Sequence, residues 1–175
     1  MKMSEFLQLN TVQKLCKGVL ALSIGLFGIL VASGNVLDYQ SNWQFVQHVL
    51  AMDKMESWFE GSALQQRAIH NPTLQTVFYI GIIIGEAVFG LLCSIGGLLI
   101  ISSTFKGNTQ HLTLGKISFT LGALMAILVW YTGFAVIGGE YFAMWANKWN
   151  EQMKAYYLIS FILLSLMYIS QTEQQ

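Results

Sequence analysis

From Leu74 to Ser103 the chain is apolar except for one formally charged side chain, Glu86. A run of that length crosses a bilayer, for which about 20 residues suffice. A helix is the natural form for such a segment, because it satisfies its own backbone N–H and C=O groups where no water can. The same environment makes Glu86 expensive. A charged side chain at the centre of a span costs roughly 3 kcal/mol unless it is protonated, paired or turned to a polar cavity.

Three more stretches have crossing length. Hydropathy places spans at about 18–37, 74–103, 117–139 and 152–171. Only 10% of the residues are charged, against about 25% in soluble domains, so much of the surface needs lipid as its solvent. The fold class expected is all-α: one membrane-embedded four-helix bundle occupying residues 1–175. Asn71-Pro72 precedes the second span and suits a capped helix start. Lys14 and Lys17 followed by an apolar run ending in Ala32-Ser33-Gly34 also resemble a signal peptide. The polar lead-in is long, however, and the run exceeds a signal core of about 7–15 residues, which favours a retained span.

Lys2, Lys14, Lys17, Lys106 and Lys116 flank one side, and Lys54, Arg67, Lys148 and Lys154 the other, a five-to-four split of the nine basic residues. The short second connection is purely basic, so both termini are expected in the cytoplasm. The long first loop then lies outside. Within it, Trp43, Val46, Val49 or Leu50, and Met52 recur at helical spacing. They predict a short amphipathic helix over Asn42–Asp53 that rests on the bilayer surface or caps the bundle. Tyr141, Phe142, Trp145 and Trp149 form an aromatic belt in the other outer connection. Both outer loops are expected to be ordered.

At about 100° per residue, Tyr79, Glu86, Gly90, Cys93 and Gly97 share one stripe of the second span. Small residues mark close helix contacts in membranes, so Glu86 is expected to face the bundle. Gly122, Ala126, Gly133 and Glu140 form a second such stripe, and Gly18, Gly25 and Ala32 a third. Two roles for Glu86 stay open: a neutral or hydrogen-bonded residue that fixes helix register, or a binder of a cation, proton or cationic ligand. Glu140 ends a span, where a carboxylate is readily solvated. His48, His70 and His111 all fall in loops, which argues against haem held between spans. His48 and Asp53, with Asp38 and Glu140 on the same side, offer a surface metal site as the rarer alternative to a solvated histidine.

Neither Cys16 nor Cys93 belongs to a metal or dithiol motif, and both read as small buried hydrophobes. Serine-hydrolase, HExxH and phosphate-loop signatures are missing. No catalytic residue, cofactor or metal is assigned, and zero net charge gives no pointer to nucleic acid.

Asn35-x-x-Asp38-Tyr39, Phe45-Val46-x-His48-Val49-Leu50-x-Met52-Asp53, Glu86, and Gly138-Gly139-Glu140-x-Phe142-x-Met144-Trp145 followed by Trp149-Asn150 carry a resemblance over nearly the whole chain. In these motifs it resembles a bacterial family of predicted small integral membrane proteins, a domain of unknown function. The resemblance implies a four-span protein of the bacterial inner membrane and supplies no activity.

The residues thus nominate Glu86 as an intramembrane acid and Asn35, Asp38, His48, Asp53 and Glu140 as a polar cluster on the outer face. That cluster would line an outward-facing cavity above Glu86. Trp43, Trp145 and Trp149 are the candidate partner contacts. The leading functional reading is a non-enzymatic accessory or assembly subunit, contacting lipid and another membrane protein or a second copy of itself. The main alternative is a small transporter or ion- or proton-binding protein using Glu86, and a membrane enzyme stands third.

Overall fold

The structure, a computed structural model, describes residues 8–173; Lys2, one of the flanking lysines, lies outside them. The fold is all-α. Helix α1 covers Leu9–Leu37, α2 Tyr39–Ala51, α3 Ser62–Gln65, α4 Pro72–Lys106, α5 Thr109–Ala126 and α6 Gln152–Ser170. Helix α5 continues without a break into a π-helix, Ile127–Tyr141, and a short 3-10 turn follows at Met144–Ala146. Four of these helices are long and apolar enough to cross a membrane: α1, α4, α5 with its π extension, and α6. In the most apolar stretch of each, only 28 to 39% of residues are buried inside the protein. The rest of that surface needs a lipid environment.

Asparagine side chains open the later helices. Asn71 Oδ1 accepts from the backbone N–H groups of Thr73 at 2.9 Å and Leu74 at 3.2 Å, and Pro72 takes the first helical position. Asn108 does the same for Gln110 and His111, and Asn150 for Gln152. Each supplies an acceptor to donors that have no partner within the helix.

The chain divides into two compact units, each containing segments of all four long helices. One comprises residues up to Leu30, Ala87–Met125 and the chain from Phe161; the other is Val31–Glu86 with Ala126–Ser160.

The first unit packs backbone against backbone. A methyl group at Gly97 would stand 2.5 Å from the Leu22 nitrogen of α1, and one at Gly96 would stand 2.8 Å from the Gly115 carbonyl of α5. Helix α4 is thus clasped on two sides through its adjacent glycines, the small-residue mode of packing in lipid. At one end of this unit Lys17, only 2% exposed, donates to the Gln171 carbonyl at 2.6 Å and to Glu173 at 2.9 Å. Lys116 donates to the same two residues. Burial pushes the Glu173 carboxyl up, but the hydrogen bonds from Lys116 and Lys17 outweigh it and hold the group below its ordinary range.

One expectation fails here. Cys93 is buried, but Cys16 is exposed. Lys17 and Gly18 turn inward on α1, and one residue earlier the helix has rotated about 100°, which carries Cys16 outward.

The second unit holds the loops. Helix α2 buries Val46, Val49 and Leu50 against Tyr79 of α4 and against Phe142, Ala143 and Met144. The expected helix over Asn42–Asp53 therefore begins three residues earlier, at Tyr39, and ends at Ala51. Phe142 also departs from the expected belt, because it points into this core. Met52 (φ 50°) and Ala143 (φ 49°) adopt left-handed backbone at two chain reversals. That conformation costs a non-glycine residue roughly 1–2 kcal/mol, and both side chains offset it by being buried in the same cluster. The two connections are zipped together. Glu56 N–H donates to the Ala146 carbonyl at 2.8 Å, Lys148 N–H to the Lys54 carbonyl at 2.9 Å, and the Asn147 amide to the His48 carbonyl at 3.1 Å.

Candidate functional site

Helix α4 presents Tyr79 and Glu86 on one stripe, two turns apart, and both meet Asn35 near the end of α1. The Tyr79 hydroxyl donates to the Asn35 backbone carbonyl at 2.9 Å, and the Asn35 side-chain amide donates to Glu86 Oε2 at 2.6 Å. Glu86 is 1% exposed. Glu86 is one of the residues that line a cavity of about 480 Å³ within the second unit.

Aromatic rings make much of the cavity wall. Phe45 comes from α2, Trp130 and Phe134 from the π-helix, and Trp149 from the loop before α6. They are in mutual contact: Trp130 stacks on Phe134 with centroids 5.2 Å apart, Phe134 on Phe45 at 6.0 Å, and Phe45 meets Trp149 edge-on at 6.3 Å. The Trp130 Nε1 donor is buried and has no hydrogen-bond partner among the described residues. At the rim, Glu151 and Lys154 form an exposed ion pair at 2.6 Å. A second, apolar cavity of about 120 Å³ shares Phe45, Val46, Ile82 and Phe134 with the first.

The π-helix sets where Trp130 and Phe134 point. Its widened turns are visible where Phe142 N–H donates to the Ile137 carbonyl five residues back, at 3.0 Å. Gln152 braces its far end. The Gln152 amide donates to the Ala135 carbonyl at 3.3 Å and to Glu140 at 2.9 Å. A side chain at Gly139 would collide with that amide, so the glycine is what admits Gln152 to the π-helix backbone.

Of the nominated residues, this cavity gathers Glu86, Asn35 and Trp149. The others lie elsewhere in the unit. Asp38 is exposed just before α2, and its backbone carbonyl accepts from Asn42. His48 pairs with Asp53 at 2.8 Å and stacks on Trp149, centroids 5.2 Å apart. Among the described residues no group of three or more His, Cys, Asp and Glu side chains converges to hold a metal ion. Glu140 is tied to Gln152. Trp43 donates to Thr76 at 3.2 Å. Trp145 stacks on Trp58 at 6.0 Å, and both are well exposed, at 42% and 60%.

Sequence reasoning missed Trp130, Phe134 and Phe45. A signal for the first two was present: tryptophan favours the ends of spans, whereas Trp130 falls inside one, with Phe134 one turn further on. Chemically the cavity wall combines Glu86 and its amide donor Asn35, the Glu151–Lys154 ion pair, and aromatic rings that include Trp130 with its buried indole N–H, unpartnered among the described residues. That is a set of groups suited to binding.

Neither a curated protein nor a solved structure matches the chain. Residues 13–172 match the family described as predicted small integral membrane protein (DUF2165). With four apolar helices of spanning length over those same residues, the chain belongs to this family of small integral membrane proteins.

Proposed function

We propose that the protein is a small transporter or cation-binding protein of the bacterial inner membrane, with Glu86 as the residue that holds the bound species. The observation that carries this reading is a carboxylate 1% exposed to solvent, oriented by Asn35, on a cavity of about 480 Å³. Acids within spans are costly and mark ion and substrate sites when they face a cavity. With both termini in the cytoplasm, the cavity belongs to the outward-facing half. Four spans make a small translocation unit, so transport would run through an oligomer.

The test is the thermal stability of the purified protein in mild detergent against a panel of inorganic and organic cations. A species that binds only the folded state stabilises it by an amount that grows with the logarithm of its concentration above Kd. The wild type is expected to gain stability with at least one cation, and Glu86→Gln to lose that gain. Equal responses in the two proteins would overturn the reading.

The exposed Trp58–Trp145 stack favours a second reading, an accessory or assembly subunit that docks a membrane partner. On that reading Glu86→Gln is tolerated, and changes at Trp43, Trp145 or Trp149 disrupt assembly. Purification from native membranes at native expression, with mass spectrometry of what travels along, distinguishes the two. A stoichiometric partner lost in Trp145→Ala supports the subunit; recovery of the chain alone removes it.

A further inference from the structure

We infer that the cavity beside Glu86 takes a small organic monocation, an amine or quaternary ammonium that also carries an oxygen acceptor. This deepens the Glu86 reading and rests on it.

Size is the first argument. A cavity of about 480 Å³ falls within the range of small-molecule sites, roughly 300–1,000 Å³. A bare metal ion would fill only a small part of it. The donor set agrees. Hard cations such as calcium and magnesium take six or more oxygen ligands, whereas here Glu86 is met by an amide N–H of Asn35.

Charge fixes the valence. Lys154 and Glu151 at the rim neutralise one another at 2.6 Å, and the hydrogen-bond partner of Glu86 is the neutral Asn35. Glu86 is therefore the one acid on the cavity wall without a cationic partner among the described residues, enough for a single positive charge.

The wall identifies the kind of cation. Phe45, Trp130, Phe134 and Trp149 line part of the space, and aromatic faces attract ammonium groups through the ring quadrupole. Such rings offer little to a strongly hydrated metal ion. Finally, the Trp130 Nε1 donor is buried and unpartnered among the described residues. A buried donor without an acceptor costs free energy, and a hydroxyl or carbonyl oxygen on the ligand would satisfy it.

Trp130 and Trp149 make tryptophan fluorescence the readout. Purified full-length protein in detergent is titrated with choline, with tetramethylammonium (the same charge without the oxygen), with 3,3-dimethylbutanol (the neutral isostere of choline), and with sodium and potassium at equal ionic strength. Choline is expected to give a saturable change. Tetramethylammonium should bind several-fold more weakly, the neutral isostere at least ~10-fold more weakly, and the inorganic ions should not compete. Glu86→Gln should abolish choline binding, and Phe134→Leu should weaken it ~10-fold. The isostere comparison uses the wild type alone, so it stands even if a variant fails to fold. Equal binding of choline and its neutral isostere overturns the inference. Sodium, potassium or proton binding that depends on Glu86, without choline binding, overturns it too but leaves the Glu86 reading intact. No Glu86-dependent response to any cation removes both.

Discussion

Asn35 and Glu86, on different helices, are joined by a 2.6 Å hydrogen bond from the asparagine amide to Oε2, and Tyr79 holds the Asn35 backbone from the same stripe that carries Glu86. The acid is therefore oriented by a neighbour that is itself fixed. Asn35→Ala is expected to destabilise the protein by about 1–3 kcal/mol, because it leaves a buried acceptor without its donor. Tyr79→Phe keeps the ring against Tyr39 and removes only one hydrogen bond, so it should cost about 1 kcal/mol. Thermal or denaturant unfolding in detergent measures both.

Gly139→Ala should expel the Gln152 amide from the Ala135 carbonyl and from Glu140. A loss of about 1–3 kcal/mol is expected. Gln152→Ala should cost a similar amount, and the double variant little more than either, since both changes break the same contact. A full double-mutant cycle of unfolding free energies checks this; simple additivity would show that the two residues act separately.

Gly97→Val places a branched side chain where the Leu22 backbone of α1 approaches. Overpacking of this kind costs about 1–3 kcal/mol, and backbone on the far side leaves little room for relief. The expected result is a lower melting temperature and easier dissociation of the helices in harsh detergent. Leu98→Val, on an exposed face of the same helix, should leave both measures near the wild type.

The Glu173 carboxyl is held below its ordinary range by Lys116 and Lys17. Its unfolded value is about 4.3. A depressed folded-state value contributes stability that is present above the unfolded pKa and is lost as pH falls through the folded one. Acidification below pH ~4 should therefore free the residues after α6 from the two lysines, and Glu173→Gln should remove that part of the acid dependence. Carboxypeptidase susceptibility across a pH series, compared between the two proteins, is the measurement.

Much of this molecule was legible in its sequence for plain physical reasons. Crossing length and apolar composition gave the four spans, Asn71-Pro72 gave the start of α4, and the isolation of Glu86 marked it as unusual. The remainder depended on tertiary structure. Ile127–Tyr141 has the composition of any apolar helix, and its π winding is braced by Gln152, a residue beyond the segment itself. Phe45, Trp130 and Phe134 look like ordinary lipid-facing or core residues until α2 and the π-helix bring them together. Of the polar outer cluster, His48 and Asp53 pair with one another, Asn35 joins Glu86, and Glu140 is tied to Gln152, pairings that depend on the folded loops and not on spacing. Phe142 turns inward beside the left-handed Ala143, a reversal that no periodicity announces.

Lys17 and Glu173 are separated by 156 positions along the chain. At about 5–20 residues per second, a ribosome reaches the glutamate roughly eight to thirty seconds after the lysine. Through that interval Lys17 is a cation awaiting a counter-charge at a site destined for burial. The contact therefore cannot form until α6 has been made, so the burial of Lys17 is completed only late in synthesis.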